Sequence, residues 1–343
     1  MSLRKAAWLV AILLVLSLVV LGCAAEDKNK DQAGGEAEGK IILKAGHAVA
    51  ESHPYHLGLE KFKQIVEEKT GGQVQIDIYA NGTIGSERDM IEGLQLGTID
   101  LVLTSTGPVI NFVPEMGVVD LPFLFSSREH AYQVLDGEIG QDLLEQFGDI
   151  GIVGLAFWEN GFRNLTNSER PINSVEDIQG LKIRTMENEV HQAAFKELGA
   201  DPTPMAWGEV YTALQQKTID GQENPIPIIY NMKIYEVQKY LALTGHFYSP
   251  ALLLIGQKSL DKLSPEQQNI IKKAAVEAAT YEREQIKVQE DEQLAKLEEK
   301  GMVITRPDKN ALREATMAVY EKYEGRFGKD TIQKILNADP NKK

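Results

Sequence analysis

The chain has 343 residues, of which 43% are hydrophobic and 25% charged. That is ordinary globular composition, with length enough for two domains. A formal net charge of -14 argues against nucleic acid as a partner, and a single cysteine, Cys23, permits neither an intrachain disulfide nor a cysteine-based zinc site.

The first element is not part of a fold. Arg4 and Lys5 precede a run from Ala6 to Leu21 that is apolar apart from Ser17. At 16 residues it is short for a membrane span, which needs about 20. It ends in Val20-Leu21-Gly22-Cys23, which is similar to a bacterial lipobox. Residues 1–22 are therefore expected to be a lipoprotein signal peptide and Cys23 a lipidated anchor. The alternative is an uncleaved anchor with an incidental cysteine. Residues 23–39 lack branched aliphatic and aromatic side chains and read as a flexible tether. The expected location is the periplasm or the outer face of the cytoplasmic membrane.

Folding signals begin at Lys40. IILKAGHA reads as a strand, residues 54–70 as a helix ended by Gly71-Gly72, and QVQIDIYA as a second strand. A helix over Glu87–Leu96 and the strand IDLVLTS follow. Strands alternating with helices predict an α/β sheet that is largely parallel. The stretch Leu94–Asp100 matches Leu214–Asp220 at five of seven places, which suggests two lobes of related build. GLKIRTM, residues 180–186, reads as a strand with Leu181, Ile183 and Thr185 on one face and Lys182 and Arg184 on the other. Arg184 is either a solvent-facing edge residue or an anion clamp. Ser264-Pro265-Glu266-Gln267 starts a helix as a capping box, and no Gly or Pro recurs until Gly301. A helix from Pro265 to Lys300 would extend about 54 Å, long enough to lie across two lobes.

The motifs of the common hydrolase, zinc-protease, P-loop and dinucleotide-binding classes do not occur. His47, His53 and His56 cluster near the first strand, with His246 as a remote fourth candidate. A metal-binding lipoprotein or exported enzyme using them is the rival reading.

Around Arg184 lie two longer stretches, GFRNLTNSERPINSVEDIQGLKIRTM and GADPTPMAWGEVYTALQQKTIDGQENP. With IYANGTIGSERDMIEGLQLGTIDL and VVDLPFLFSSREHAYQVLDG, this sequence resembles the solute-binding proteins of tripartite ATP-independent periplasmic (TRAP) transporters, over residues 40–335 or so. The resemblance implies a two-lobed, periplasmic-binding-protein-like α/β fold, with strands crossing between lobes near Phe157–Gly161 and Tyr248–Leu254 and a long helix spanning both. The first lobe would comprise residues 40–160 and about 250–289, the second 161–249 and about 290–343. A ligand would lie between them, without a cofactor, for delivery to a TRAP permease.

The resemblance also implies roles. Arg184 would pair bidentately with a ligand carboxylate. Arg163 matches a second arginine near the ligand, its alternative being an ion pair between lobes. Asn224, in Gly221-Gln222-Glu223-Asn224-Pro225, would orient the carboxylate or a neighbouring hydroxyl, and Trp207 would line the pocket or the core. Glu87, His47, Thr104 and Ser105 match positions at the ligand's far end. An acid such as Glu87 suits a hydroxylated acid, such as a sugar acid, better than a C4-dicarboxylate. Its alternative is a place at the positive end of the following helix.

Overall fold

The computed structural model describes residues 40–342. The expected signal peptide, Cys23 and the tether lie outside the described residues. The chain begins with β1 (Ile41–Gly46), α1 (Pro54–Lys69), β2 (Val74–Tyr79), α2 (Glu87–Leu96) and β3 (Leu101–Ser105). His53 caps α1 by accepting the Tyr55 N–H at 3.2 Å, and Pro54 takes the first helical position, where no N–H is needed. Ser86 and Asp89 form a reciprocal capping box at the start of α2.

Two 3-10 turns (Gly107–Asn111 and Pro114–Asp120), α3 (Arg128–Leu135) and α4 (Glu138–Glu145) lead into the long strand β4 (Ile152–Asn167). The next units are β5 (Lys182–Thr185), α5 (Glu189–Glu197), β6 (Asp201–Pro204), α6 (Trp207–Gln215), β7 (Gly221–Asn224) and α7 (Ile226–Asn231). A second long strand, β8 (Tyr240–Gly256), returns to the first half. Then come α8 (Gln257–Leu260), α9 (Pro265–Glu299), β9 (Val303–Thr305), α10 (Lys309–Ala315), α11 (Met317–Phe327) and α12 (Lys329–Asn337).

The strands form one sheet in the order β2-β1-β3-β8-β4-β7-β5-β6, with β9 added to β8. The expectation of a largely parallel sheet needs correction. The small strands pair in parallel within each half, but β3–β8, β4–β8 and β4–β7 are antiparallel. The reason is that β4 and β8 are not part of repeating strand–helix–strand units. They run side by side through both halves in opposite senses. Ala251–Ile255, near the end of the 17-residue β8, pair with β3, whereas Tyr240–Ala242 at its start pair with β9. Their mutual register breaks at Gly154/Ala156, Glu159/Gly161 and Arg163/Leu165. The middle break falls in the predicted crossing segment.

The long helix α9 has 35 residues, closed at its start by the Ser264/Gln267 capping box. Its small-residue face (Ala274, Ala275, Ala278 and Ala279) is buried and lets it pack closely on α1. Trp158 Nε1 donates to the Ala275 carbonyl at 3.1 Å, fixing the helix to β4. Nearer its other end Asn231, the last residue of α7, donates to Gln289 at 2.8 Å. Thus α9 braces both halves, as its length predicted.

The repeated heptapeptide also has a structural counterpart. Gly97 and Lys217 both end their helices with φ near the left-handed region, +80° and +56°. Thr98 and Thr218 each cap back onto the helix, at the carbonyls of Gly93 and Ala213. Asp100 accepts the Lys44 N–H at 2.9 Å, and Asp220 accepts the Lys182 N–H at 2.8 Å. The same helix-end device therefore positions β1 in one half and β5 in the other.

Candidate binding site

Arg184 lies on β5, flanked by β6 and β7. It is only 2% exposed, so the solvent-edge reading of this residue is wrong. The alternation does hold for its neighbours: Ile183 is buried and Lys182 exposed. Arg184 Nε and Nη2 donate to the Met205 carbonyl at 2.9 and 2.6 Å, and the guanidinium lies 5.6 Å from the Trp207 ring centroid. Among the described residues no carboxylate pairs with it within 4 Å. Burial, with the nearby Arg163 cation, brings its pKa down to about 10, against the pull of Glu223 and Glu87. A desolvated cation held by one carbonyl is a site short of an anion.

Arg163 sits on β4, fully buried, and is occupied on one side. Its Nε and Nη2 bind the Glu223 carboxylate, and Nη2 also reaches the Glu223 carbonyl at 2.6 Å. Nη1 is buried and has no partner among the described residues. Burial pushes the Glu223 carboxyl up, but the Arg163 charge and the His246 hydrogen bond (3.1 Å) outweigh it and hold it well below the usual range. The alternative expected for Arg163, an ion pair between lobes, needs correction: its pair with Glu223 joins adjacent strands within one half of the sheet and leaves Nη1 without a partner among the described residues.

Both arginines line one cleft, together with Glu87, Ser105, Trp207 and Asn224. Its empty space, counted together with the solvent open to it, is about 350 Å³. Asn224 donates its amide to Gln222 at 2.5 Å, which fixes its orientation. On the facing side Glu87 turns one carboxylate oxygen to β3, accepting from Thr104 Oγ1 (2.8 Å), Ser105 N (3.1 Å) and Ser105 Oγ (3.0 Å). The N-cap of α2 is Ser86, but Glu87 is its first helical residue and so also stands at the positive end of that helix, as the alternative had it. Thr104 does not line the cleft; it positions Glu87 from behind.

His47 is also outside the cleft lining. Its Nε2 lies 3.0 Å from His56 Nδ1, and burial with the His56 charge holds its pKa down to about 3. His53 is similarly neutral, its pKa brought to about 3 by burial and His47, and its Nδ1 is committed to the α1 cap. Among the described residues no group of three or more His, Cys, Asp and Glu side chains is arranged to hold a metal. His246 belongs to the Glu223 pair and not to this cluster. The cleft also gains residues that pattern reading missed, namely Tyr55, Asn160 and Met186. Asn160 was visible only as part of the stretch WENGFR, where its facing depends on a strand irregularity.

The bacterial extracellular solute-binding protein family 7, DctP, matches residues 45–326. The chain belongs to this family. DctP proteins are the solute-binding components of TRAP transporters, binding proteins and not enzymes. Solved structures place it firmly within the two-lobed fold. A TRAP periplasmic solute-binding protein of Bordetella bronchispeptica, with density assigned to pantoate, is 45% identical with a TM-score of 0.86, covering 88% of this chain and 100% of that one. One from Polaromonas sp. JS666, bound to D-erythronate, is also 45% identical, with a TM-score of 0.85 and coverage of 87% and 98%. The 2,3-diketo-L-gulonate-binding periplasmic protein YiaO of Escherichia coli is 38% identical over 80% of this chain and 84% of its own length. No helix among the described residues is long and apolar enough to cross a membrane.

Proposed function

We propose that this DctP protein captures a hydroxylated organic acid anion and delivers it to a TRAP permease. The observation that carries the reading is Arg184, a buried guanidinium with no carboxylate partner among the described residues, lining the same cleft as Arg163, whose Nη1 is also unpaired among them. A ligand carboxylate satisfies both. Asn224 and Trp207 flank it, and the free oxygen of Glu87 takes a hydroxyl hydrogen at the far end. A simple dicarboxylate would set a second negative charge against Glu87. The hydroxylated acids named for the three relatives support this preference.

Residues 40–160 with about 250–289 form one lobe in this reading, and 161–249 with about 290–343 the other. Cys23 carries the lipid that holds the protein outside the cytoplasmic membrane.

A thermal-shift screen of the purified protein against sugar acids, C4-dicarboxylates, 2-oxo acids and divalent metals tests the ligand class. A ligand at a hundredfold its dissociation constant stabilises the fold by about 2.7 kcal/mol. Arg184→Ala is expected to fold and to lose about 2–5 kcal/mol of affinity. Wild-type affinity in that variant removes the clamp, and shifts with metals alone revive the histidine reading.

A further inference from the structure

Besides Arg163 Nη1, two polar atoms of side chains lining the cleft lack partners among the described residues, and neither belongs to the carboxylate clamp. Asn160 is 2% exposed and Tyr55 3% exposed. Asn160 Oδ1 and Tyr55 Oη are both buried without a hydrogen-bond partner among the described residues, and both side chains line the same cleft as Arg163 and Arg184. A buried polar atom left unsatisfied is costly, so each is a place where a ligand group gains more than it would in water.

The backbone explains why Asn160 faces the cleft at all. Residues three apart on a regular strand point to opposite faces, so Asn160 and Arg163 should not share one. The β4–β8 register shifts between Glu159 and Gly161, which changes the alternation by one residue. Gly161 has φ +115°, a conformation that side chains rarely adopt, and a Cβ there would lie 3.2 Å from Pro225. The irregularity therefore requires glycine, and it brings Asn160 round to the side of Arg163. The Asn160 amide nitrogen is held by Ser249 Oγ on β8 at 3.3 Å, which leaves the carbonyl oxygen for the cleft. Tyr55 comes from the first turn of α1, its ring edge-on to His53 at 4.9 Å.

We infer that Asn160 and Tyr55 form a hydroxyl-reading subsite that selects which hydroxylated acid the cleft accepts. The inference rests on the carboxylate reading above. Asn160 Oδ1 can only accept, while the Tyr55 phenol can donate. One ligand hydroxyl answers both, giving its hydrogen to Asn160 and its lone pair to Tyr55. An oxo group meets Tyr55 but sets oxygen against oxygen at Asn160. A methylene satisfies neither. Asn160 stands on the long strand shared by both halves, and Tyr55 on the helix that opens the first half.

The test is calorimetry with D-erythronate, its 2-deoxy analogue and its 3-deoxy analogue, on wild type, Asn160→Ala and Tyr55→Phe. In the wild type, removing either the 2- or the 3-hydroxyl is expected to weaken binding about tenfold or more. In Asn160→Ala, and to a lesser degree in Tyr55→Phe, that same penalty should shrink to about threefold or less, the signature of a direct contact. Equal binding of all three acids by the wild type overturns the subsite, and so does a penalty that persists undiminished in both variants. Should the wild type bind succinate but none of the three hydroxy acids, the subsite falls while the carboxylate clamp survives. If no carboxylate in the wider screen binds, the clamp itself falls. If Asn160→Ala does not fold, Tyr55→Phe alone decides by the same criterion.

Discussion

At the scale of single residues the site depends on charges placed where water cannot solvate them. Arg163 and Glu223 are both fully buried, and each needs the other. Glu223 is held below its ordinary pKa, so the stabilisation from the pair is fully present above the unfolded glutamate value of about 4.3 and is lost as pH falls towards the lower folded value. Glu223→Gln leaves the Arg163 charge without a counter-ion and should destabilise the protein by about 3–5 kcal/mol, read from denaturant unfolding at pH 7. A loss below about 1 kcal/mol would mean the pair is not what holds Arg163. The residue types of this machinery were legible in the sequence. Arg184, Arg163 and Asn224 stand in stretches specific enough to mark an anion site. That Arg163 divides its guanidinium between Glu223 and the cleft was not legible, because the partner comes from a strand some 60 residues away.

At the scale of elements, local chemistry did most of the specifying. The α2 boundaries, the α1 start and the α9 start follow from caps and proline placement, which involve only neighbouring residues. The repeated helix end shows the same economy in both halves, with one exception. Gly97 meets the left-handed turn without steric strain, whereas Lys217 holds φ +56° with a side chain. Lys217→Gly should therefore stabilise the protein by about 0.5–1 kcal/mol, since an L residue in that region costs about 1–2 kcal/mol and glycine loses part of the gain to chain entropy. Thermal unfolding of the variant checks this; a lowered melting temperature would show that the Lys217 side chain contributes more than its backbone costs. Predicting a mainly parallel sheet failed for the opposite reason. The direction of β4 against β8 is a pairing choice between segments about 90 residues apart, and hydrophobic periodicity carries no sign for direction.

The whole molecule is two halves sharing β4, β8 and α9, with the cleft between them. The turn after β3 and the segment after β5 touch across it. Asn188 Nδ2 reaches the Gly107 carbonyl at 3.0 Å and Asp120 at 2.8 Å, and Asn111 reaches the Glu187 carbonyl at 2.7 Å. These few polar contacts are the ones an opening motion would break, while the irregular points of β4 supply a place to bend. Small-angle scattering should accordingly show a smaller radius of gyration with a saturating acid than without it. An unchanged radius would argue for a cleft that stays closed and admits ligand by local motion alone.

The sequence by itself determined the family, the expected two-lobed build and the long brace, and it singled out Arg163 and Arg184 as the arginines to look for in the cleft. Those features are written in caps, periodicities and short stretches whose residues act within a few positions of one another. Tertiary structure alone decided the antiparallel crossing, the sharing of Arg163, the exclusion of His47 and Thr104 from the cleft lining, and the presence of Asn160 and Tyr55 within it. Each of those depends on which distant segment a strand pairs with, and on one shifted register at Gly161 that turns a side chain from one face of the sheet to the other.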